Sequence, residues 1–110
     1  MADLNQVILI GRIASELNLH YSPQGTAICN FSFATGRDEN VLFINITAFE
    51  KLAELLCQYS AKGQMICIVG YLKQDKWEKD GQKFSQIKVI ANKIQFLTYP
   101  QKENKSSEDF

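Results

Sequence analysis

The segment from Asn40 to Leu56 constrains the fold most, because its apolar residues change from the spacing of a strand to that of a helix. The first half alternates, and its apolar face consists of Leu42, Ile44, Ile46 and Ala48. The opposite face consists of Phe43, Asn45, Thr47 and Phe49. We therefore predict a strand that runs directly into a helix, with one strand face in the core. Two rings and short polar groups share the other face, which suits contact with both water and flat rings.

The residues before this segment predict two strands joined by a turn. Val7 to Ile10 form a continuous apolar run, typical of a strand buried on both faces, and Gly11 then permits a bulge or bend. Weak alternation over residues 16–21 extends the same strand to a proline-containing turn at residues 22–25. The return strand covers residues 26–35. Its predicted core face consists of Cys29, Phe31 and Phe33.

The residues after residue 35 predict a hairpin, one helix and two further strands. A short polar connection over residues 36–40 joins the second strand to the third. The helix has one apolar face, which consists of Leu52, Leu55, Leu56 and Tyr59. Lys62 and Gly63 should end it with a glycine cap. Residues 64–77 begin as a buried strand and become amphipathic, so their second half should project beyond the core.

The last strand follows a turn at residues 79–82 and covers residues 83–97. One of its faces carries Ile87, Val89 and Ala91. The element order is then three strands, a helix and two strands, which is an all-β fold with one helix. It matches the OB-fold, a five-stranded Greek-key barrel, here with its helix between the third and fourth strands. Residues 1–97 are predicted to form this domain, and residues 98–110 a short disordered acidic tail.

The composition limits how such a domain could bind a polyanion. The chain has 110 residues, of which 45% are hydrophobic, and this suits a single domain with one core. Its 12 basic residues are balanced by 12 acidic ones, so binding to nucleic acid must depend on local charge rather than on bulk attraction.

The cysteines and the hydropathy pattern indicate a cytoplasmic protein. Cys29, Cys57 and Cys67 have no metal-ligand spacing and read as small buried hydrophobes in a reducing compartment. The sequence shows neither a cationic leader followed by an apolar segment nor an apolar run of membrane-spanning length. No cofactor or metal is expected.

The arm formed by the last two strands carries the third candidate ring. Trp77 lies among charged residues near the tip of the hairpin, so the core is an unsuitable place for it. Residues 73–93 contain six lysines and three acids, which makes the arm locally basic. Alternating charges on an exposed hairpin can also be merely solvating. Together with Phe43 and Phe49, however, the arm favours a strand of nucleic acid lying across the sheet, its bases on the rings and its phosphates on lysines.

Five segments of the chain together resemble the bacterial single-stranded DNA-binding protein family. They are NQVILIGRI, YSPQGTAICNFSFAT, FEKLAELL, KGQMICIVGYLKQDKW and IQFL, in the family's order and at compatible spacings over residues 5–97. The resemblance implies sequence-independent binding and protection of single-stranded DNA in replication, recombination and repair. It also implies a homotetramer with DNA wrapped around it, in the cytoplasm and associated with the nucleoid.

The same resemblance assigns particular residues to the DNA path. Phe43, Phe49 and Trp77 fall on base-stacking positions, with phenylalanine at 43 where the family often has tryptophan. Four lysines fall on basic positions of the path, namely Lys51, Lys62, Lys73 and Lys76. The acidic ending Glu108–Asp109–Phe110 is similar to the family's tip for binding replication and repair proteins, since carboxylates beside an aromatic end can dock into a basic-rimmed apolar pocket.

Three departures from the family pattern weaken this assignment. The 36–40 connection is much shorter than the usual long loop, and Glu39 lies near the place where a tryptophan is often found. Asn45 replaces a commonly basic residue, and the linker before the tail tip is short. Weaker binding or a shorter occluded site is expected.

Two non-enzymatic alternatives remain open from the sequence. One is the dimeric primosomal replication paralogue, which acts mainly through protein partners. The other is a pure protein-interaction OB module, in which Phe43 and Phe49 form a subunit interface. Catalysis is not expected, because the sequence has no phosphate-binding glycine loop, no nucleophile–histidine pairing and no metal-ligand cluster.

Overall fold

A computed structural model describes residues 3–98 of the chain as six strands and one α-helix. In chain order the elements are β1 (Val7–Ile13), β2 (Asn18–Tyr21), β3 (Ala27–Thr35), β4 (Leu42–Phe49), α1 (Glu50–Tyr59), β5 (Met65–Lys79) and β6 (Gln82–Phe96). A single 3-10 turn, Asp38–Asn40, lies between β3 and β4. The helix of this part of the chain is too short and too polar to span a membrane.

The sheet closes on itself, which confirms the predicted OB-fold. The strand order is β1-β5-β6-β4-β3-β2, and β1 also pairs with β3. Neighbours are antiparallel except β4 and β6, which pair in parallel at Ile46 and Val89. The first predicted strand is divided into β1 and β2, and α1 lies between the predicted third and fourth strands. Closure leaves the pairing edges of the barrel strands satisfied, as expected for this architecture.

The core lies inside the barrel and beneath the helix. The alternation predicted for β3 is confirmed, because Cys29, Phe31 and Phe33 are all buried. Opposite them on β4, Ile46 and Ala48 are fully buried. The remaining core includes Ile13, Ala27, Ala53, Leu56, Ile66, Ile68, Val89 and Ala91.

Strand β1 corrects the prediction that Val7 to Ile10 are buried on both faces. Ile8 is 64% exposed and Ile10 is 56% exposed, so only Val7 and Leu9 turn inward. Gly11 causes no bulge, since the register with β5 is continuous from Val7 to Arg12. A side chain at Gly11 would instead collide with the carbonyl of Ala34, where β1 passes from β5 to β3 to close the barrel.

The alternation predicted that residues 16–21 extend β1, but the structure contradicts this prediction. The chain leaves the ladder after Ile13, and β2 pairs separately with β3. The Ser15 hydroxyl accepts a hydrogen bond from the Ser32 amide at 2.8 Å and so ties the break to β3. The turn at 22–25 is confirmed, with Gly25 at φ 88 and its amide donating to the Ser22 carbonyl at 2.8 Å.

Helix α1 is rotated relative to the predicted apolar face. Ala53 and Leu56 are buried, whereas Leu55 and Tyr59 of the predicted face are exposed. The helix also ends at Tyr59, so Gly63 is not its cap. Gly63 has φ 94 in the following turn, where its amide donates to the Ile13 carbonyl at 2.7 Å.

Two strands extend their core-facing rows beyond the barrel. Leu42 on β4 was predicted as core but is 50% exposed, and Ile87, which shares one face of β6 with the buried Val89 and Ala91, is 55% exposed. Leu42 is the first residue of β4, and Ile87 pairs with Gln74 on the projecting part of β5. As predicted, the second half of β5 projects, and every residue from Tyr71 to Lys79 is exposed or only half-buried. The barrel is therefore continued by a long two-stranded arm.

Two cysteines meet between β3 and α1. The Cys57 thiol donates to Cys29 Sγ at 3.1 Å. Burial first, and then this hydrogen bond, raise the pKa of Cys29 to about 12. The prediction of small buried hydrophobes is confirmed for Cys29, while Cys57 and Cys67 are half-buried.

Candidate nucleic-acid interface

The outer face of β3 and β4 carries two exposed rings separated by a polar floor. Phe43 is 65% exposed and Phe49 is 38% exposed. The rungs between them pair Ser32 with Asn45 and Asn30 with Thr47. The rings are six residues apart on one face, which is about 20 Å along a strand. Sequence alternation predicted this face correctly, although Thr47 is buried beside β6.

The junction between β4 and α1 sets the position of Phe49 at the end of this face. Phe49 has the extended backbone of a helix N-cap, and Glu50 then turns sharply with φ 62. A non-glycine residue rarely adopts this left-handed conformation, so the bend is strained. Because of the bend, the chain leaves the sheet directly after the ring, and α1 packs beneath the barrel.

Trp77 lies on the arm and stacks on a phenylalanine that sequence reasoning overlooked. The centroids of the Trp77 and Phe84 rings are 5.8 Å apart, with an interplanar angle of 19°. The two residues are directly opposite each other in the β5–β6 register. They are 47% and 40% exposed, so together they present a wide ring surface to solvent.

The turn at the tip of the arm is the signal that could have located Phe84. Asp80 and Gly81 both have positive φ, 53 and 79, as in a type I′ two-residue hairpin loop. Such a loop makes residues 79 and 82 the first pair. Counting outward from that pair along both strands brings Trp77 opposite Phe84.

A groove of about 410 Å³ lies between the arm and the outer face of β3 and β4. Its lining is largely polar and consists of Ser15, Glu16, Asn18, Asn30, Phe31, Ser32, Asn45, Thr47, Asp75, Gln86 and Lys88. The Thr47 hydroxyl donates to Asn30 Oδ1 at 2.7 Å, which fixes one part of the floor. Strand alternation places Phe43 and Phe49 on the face of Asn45, and Trp77 on the face of Asp75. The three predicted rings therefore share strand faces with groove-lining residues but lie outside its lining, and Trp77 lines a second depression together with Phe84.

The charges on the groove side of the arm are partly paired. Asp75 contacts Lys88 at 2.9 Å and Lys73 at 3.6 Å. The hydrogen bond from Lys88 is the main cause that holds the pKa of Asp75 below its usual value. The sequence shows only that Asp75 stands among lysines on the arm, whereas the structure pairs it with two of them. Lys88 was not among the candidate site residues.

The other predicted lysines are spread over different parts of the molecule. Lys51 is in the first turn of α1, two residues from Phe49. Lys62 follows the far end of the helix, so about 15 Å of helix separates these two positions. Lys76 pairs with Ser85 and is adjacent to Trp77 along β5, and both residues line a second depression of about 410 Å³. Lys73 and Lys76 therefore lie on the arm with Trp77, Lys51 lies close in sequence to Phe49, and Lys62 lies apart from Lys51.

The predicted partner-binding residues Glu108, Asp109 and Phe110 lie outside the described residues. Within residues 3–98, His, Cys, Asp and Glu side chains do not gather in a group of three that could hold a metal ion. What the groove offers chemically is amides and hydroxyls on its floor and the Lys88 ammonium group on one wall, while the exposed rings stand on the same strand faces outside its lining.

The sequence was compared with known protein families and with curated proteins. A single-stranded DNA-binding protein of Treponema pallidum is 35% identical over 105 residues, covering 88% of this chain and 60% of the relative. The corresponding protein of Aquifex aeolicus is 33% identical, with 88% and 72% covered. Single-stranded DNA-binding protein 2 of Clostridium acetobutylicum is 32% identical, with 97% and 86% covered. The chain thus spans about three fifths of the length of the Treponema relative.

The family model that matches is described as the single-strand binding protein family, and the match covers residues 4–97. These residues include the whole barrel, the helix and the arm. The chain belongs to the single-strand binding protein family.

Proposed function

We propose that this protein binds single-stranded DNA without sequence preference and protects it in replication, recombination and repair. The observation that carries the proposal is that exposed rings share strand faces with residues of one polar groove, Phe43 and Phe49 with Asn45 on β4 and Trp77 with Asp75 on the arm. Base stacking on such rings accepts any sequence and contributes about 1 to 3 kcal/mol per base. Relatives that are 35% and 33% identical to the chain are named single-stranded DNA-binding proteins.

Lysines supply the phosphate contacts in this proposal. Lys51 lies beside Phe49, and Lys73 and Lys76 lie on either face of the arm near Trp77. Lys62 would meet only a strand that continues around the barrel past the end of α1. Because the net charge of the chain is zero, the affinity should depend on these local groups and fall as salt is added.

The decisive experiment is a titration with oligothymidine at low salt, followed by the fluorescence of Trp77, which is the only tryptophan. Stacking of bases on the indole should quench the emission, and duplex DNA should compete poorly. Absence of quenching, or equal competition by duplex, contradicts single-strand binding. Either of these two results would favour the alternative of a protein-interaction module with the same fold.

Alanine substitution of the rings tests the mechanism. Phe49→Ala and Trp77→Ala should each weaken binding of a fluorescently labelled oligothymidine by about 1 to 3 kcal/mol and leave the circular dichroism spectrum unchanged. Phe33→Ala is the matched control, because Phe33 is fully buried. It should instead destabilise the fold by about 3 to 5 kcal/mol. Unfolding caused by Phe49→Ala would make that ring part of the core.

We also propose that copies of the chain assemble, most simply as a homotetramer. The outer face of β1 and β5 is apolar, and its opposed pairs are Ile8 with Val69 and Ile10 with Cys67. Contiguous apolar surface of this kind marks an interaction site.

The acidic ending Glu108–Asp109–Phe110 is proposed to recruit replication and repair proteins, on the strength of its charge and its aromatic residue alone. Its removal should leave DNA affinity unchanged or slightly higher, because a competing anionic segment is lost. A large loss of DNA affinity would contradict this role.

A further inference from the structure

Two lysine ammonium groups converge on one carboxylate on the groove side of the arm. Lys73 and Lys88 are directly opposite each other in the β5–β6 register. Like charges in such a pair repel each other. Asp75, two residues along the same face, offsets this repulsion by contacting Lys88 at 2.9 Å and Lys73 at 3.6 Å. The carboxylate of Asp75 thus pairs with two ammonium groups.

This cluster lies next to the ring surface of the arm. The rung that contains Asp75 is adjacent, on the same face, to the rung of Trp77 and Phe84. Adjacent rungs on one face are about 7 Å apart. Asp75 and Lys88 also line the groove together with Asn45 of β4. A nucleotide whose base stacks on the indole therefore has its backbone phosphate within reach of the two ammonium groups.

We infer that Lys73 and Lys88 form a phosphate subsite and that Asp75 occupies it as a built-in competing anion when no DNA is bound. The inference rests on the proposed single-strand binding and adds Lys88 and Asp75 to the residues that determine its strength. A phosphate oxygen takes the place of the carboxylate oxygen at each ammonium group. The exchange is easy because the Asp75 side chain is 36% exposed, and exposed ion pairs contribute little stability.

The competing carboxylate has a measurable effect on affinity and on salt dependence. It cancels one of the two charges that a phosphate would meet, and it remains near the phosphate after displacement. Asp75→Asn keeps the shape of the side chain and removes the charge. We expect this variant to bind oligothymidine about threefold to tenfold more tightly at low salt. The slope of log affinity against log salt should steepen by about 0.7 for each phosphate newly engaged.

Glu78→Gln is the matched control. It removes one negative charge from the same arm, but Glu78 pairs with Lys83 on the opposite face from the cluster. We expect an affinity change of less than about twofold and an unchanged salt slope. Circular dichroism and the emission of Trp77 in the free protein check that both variants keep the arm intact.

A double-mutant cycle with Lys88→Gln tests the subsite itself. In the Asp75→Asn background, Lys88→Gln should remove most of the gain in affinity. In the unaltered chain Lys88→Gln should weaken binding less, because the Lys88 ammonium group is already paired with Asp75. Equal effects in the two backgrounds, or Asp75→Asn binding no more tightly than Glu78→Gln, overturn the inference. Failure of the unaltered protein to bind oligothymidine is a separate result that overturns the proposed function and this inference with it.

Discussion

Phe33 and Phe43 show how neighbouring residues of one type acquire different roles. They lie on adjacent paired strands, yet Phe33 is fully buried and Phe43 is 65% exposed. The register pairs Phe33 with Ile44, and Phe43 with Ala34, one residue further along, so the two rings point to opposite faces. The face that a residue occupies, rather than its hydrophobicity, decides whether it supports the core or is available to a base.

Glu50 should be strained by its left-handed backbone. Its φ is 62, which costs a non-glycine residue about 1 to 2 kcal/mol. Glu50→Gly relieves the strain, and Glu50→Ala removes the same carboxylate without relieving it. We expect the glycine variant to exceed the alanine variant in free energy of unfolding by about 1 kcal/mol, measured by urea denaturation. Equal stabilities would show that the bend after Phe49 is unstrained.

Cys29 should make stability depend on alkaline pH. Its pKa rises from 9.0 to about 12 on folding. The stabilisation by the neutral thiol is therefore fully present below pH 9 and is lost as the pH rises from 9 towards 12. Urea denaturation at pH 8 and pH 10.5 should show a larger loss of stability for the unaltered chain than for Cys29→Ala. Cys67→Ala is the control and should follow the unaltered chain.

The arm is the element whose local chemistry explains most of the candidate site. Its type I′ turn at Asp80 and Gly81 sets the register, and that register brings Trp77 opposite Phe84. The same alternation that buries β5 inside the barrel leaves both faces of the arm in water once the barrel ends. A hairpin exposed on both faces must be stabilised by cross-strand pairs, and an aromatic pair is among the strongest.

Phe84 should support DNA binding by holding the indole of Trp77 in place. We expect Phe84→Ala to weaken oligothymidine binding by about 1 kcal/mol and to shift the free-protein emission of Trp77 to longer wavelength. Phe84→Tyr keeps the stacking and should restore both properties. Phe96→Ala, which removes a comparably exposed ring at the barrel end of β6, should change neither. An unshifted emission in Phe84→Ala would show that the rings do not support each other.

At the scale of the whole molecule, closure of the barrel separates two outer surfaces. One is the groove side of β3, β4 and the arm. The other is the apolar outer face of β1 and β5, where Ile8 and Ile10 are exposed. A closed barrel has only one interior, so the outward apolar residues of β1 lie outside it, and the proposed assembly would cover them.

Ile8→Lys should therefore dissociate the proposed oligomer. A buried, unpaired ammonium group in an apolar contact is strongly unfavourable. We expect the unaltered chain to have a mass in solution that is a multiple of 12.5 kDa, and Ile8→Lys to have the monomer mass, by light scattering. Ile87→Lys is a control of similar exposure on a different face and should keep the oligomer. A monomeric unaltered chain would contradict the assembly.

The sequence by itself determined the barrel, the strand-to-helix junction and the two-ring face of β4, because each depends on local periodicity and turn chemistry. It could not show that β1 is exposed on its outer face, that α1 is rotated away from Leu55 and Tyr59, or that Lys62 lies apart from the groove. Those properties depend on which elements pack together, and the apolar face of an element does not identify the element that it packs against. Only the tertiary structure brought Trp77 onto Phe84 and placed Asp75 between two lysines, because cross-strand register acts between residues that are distant along the chain.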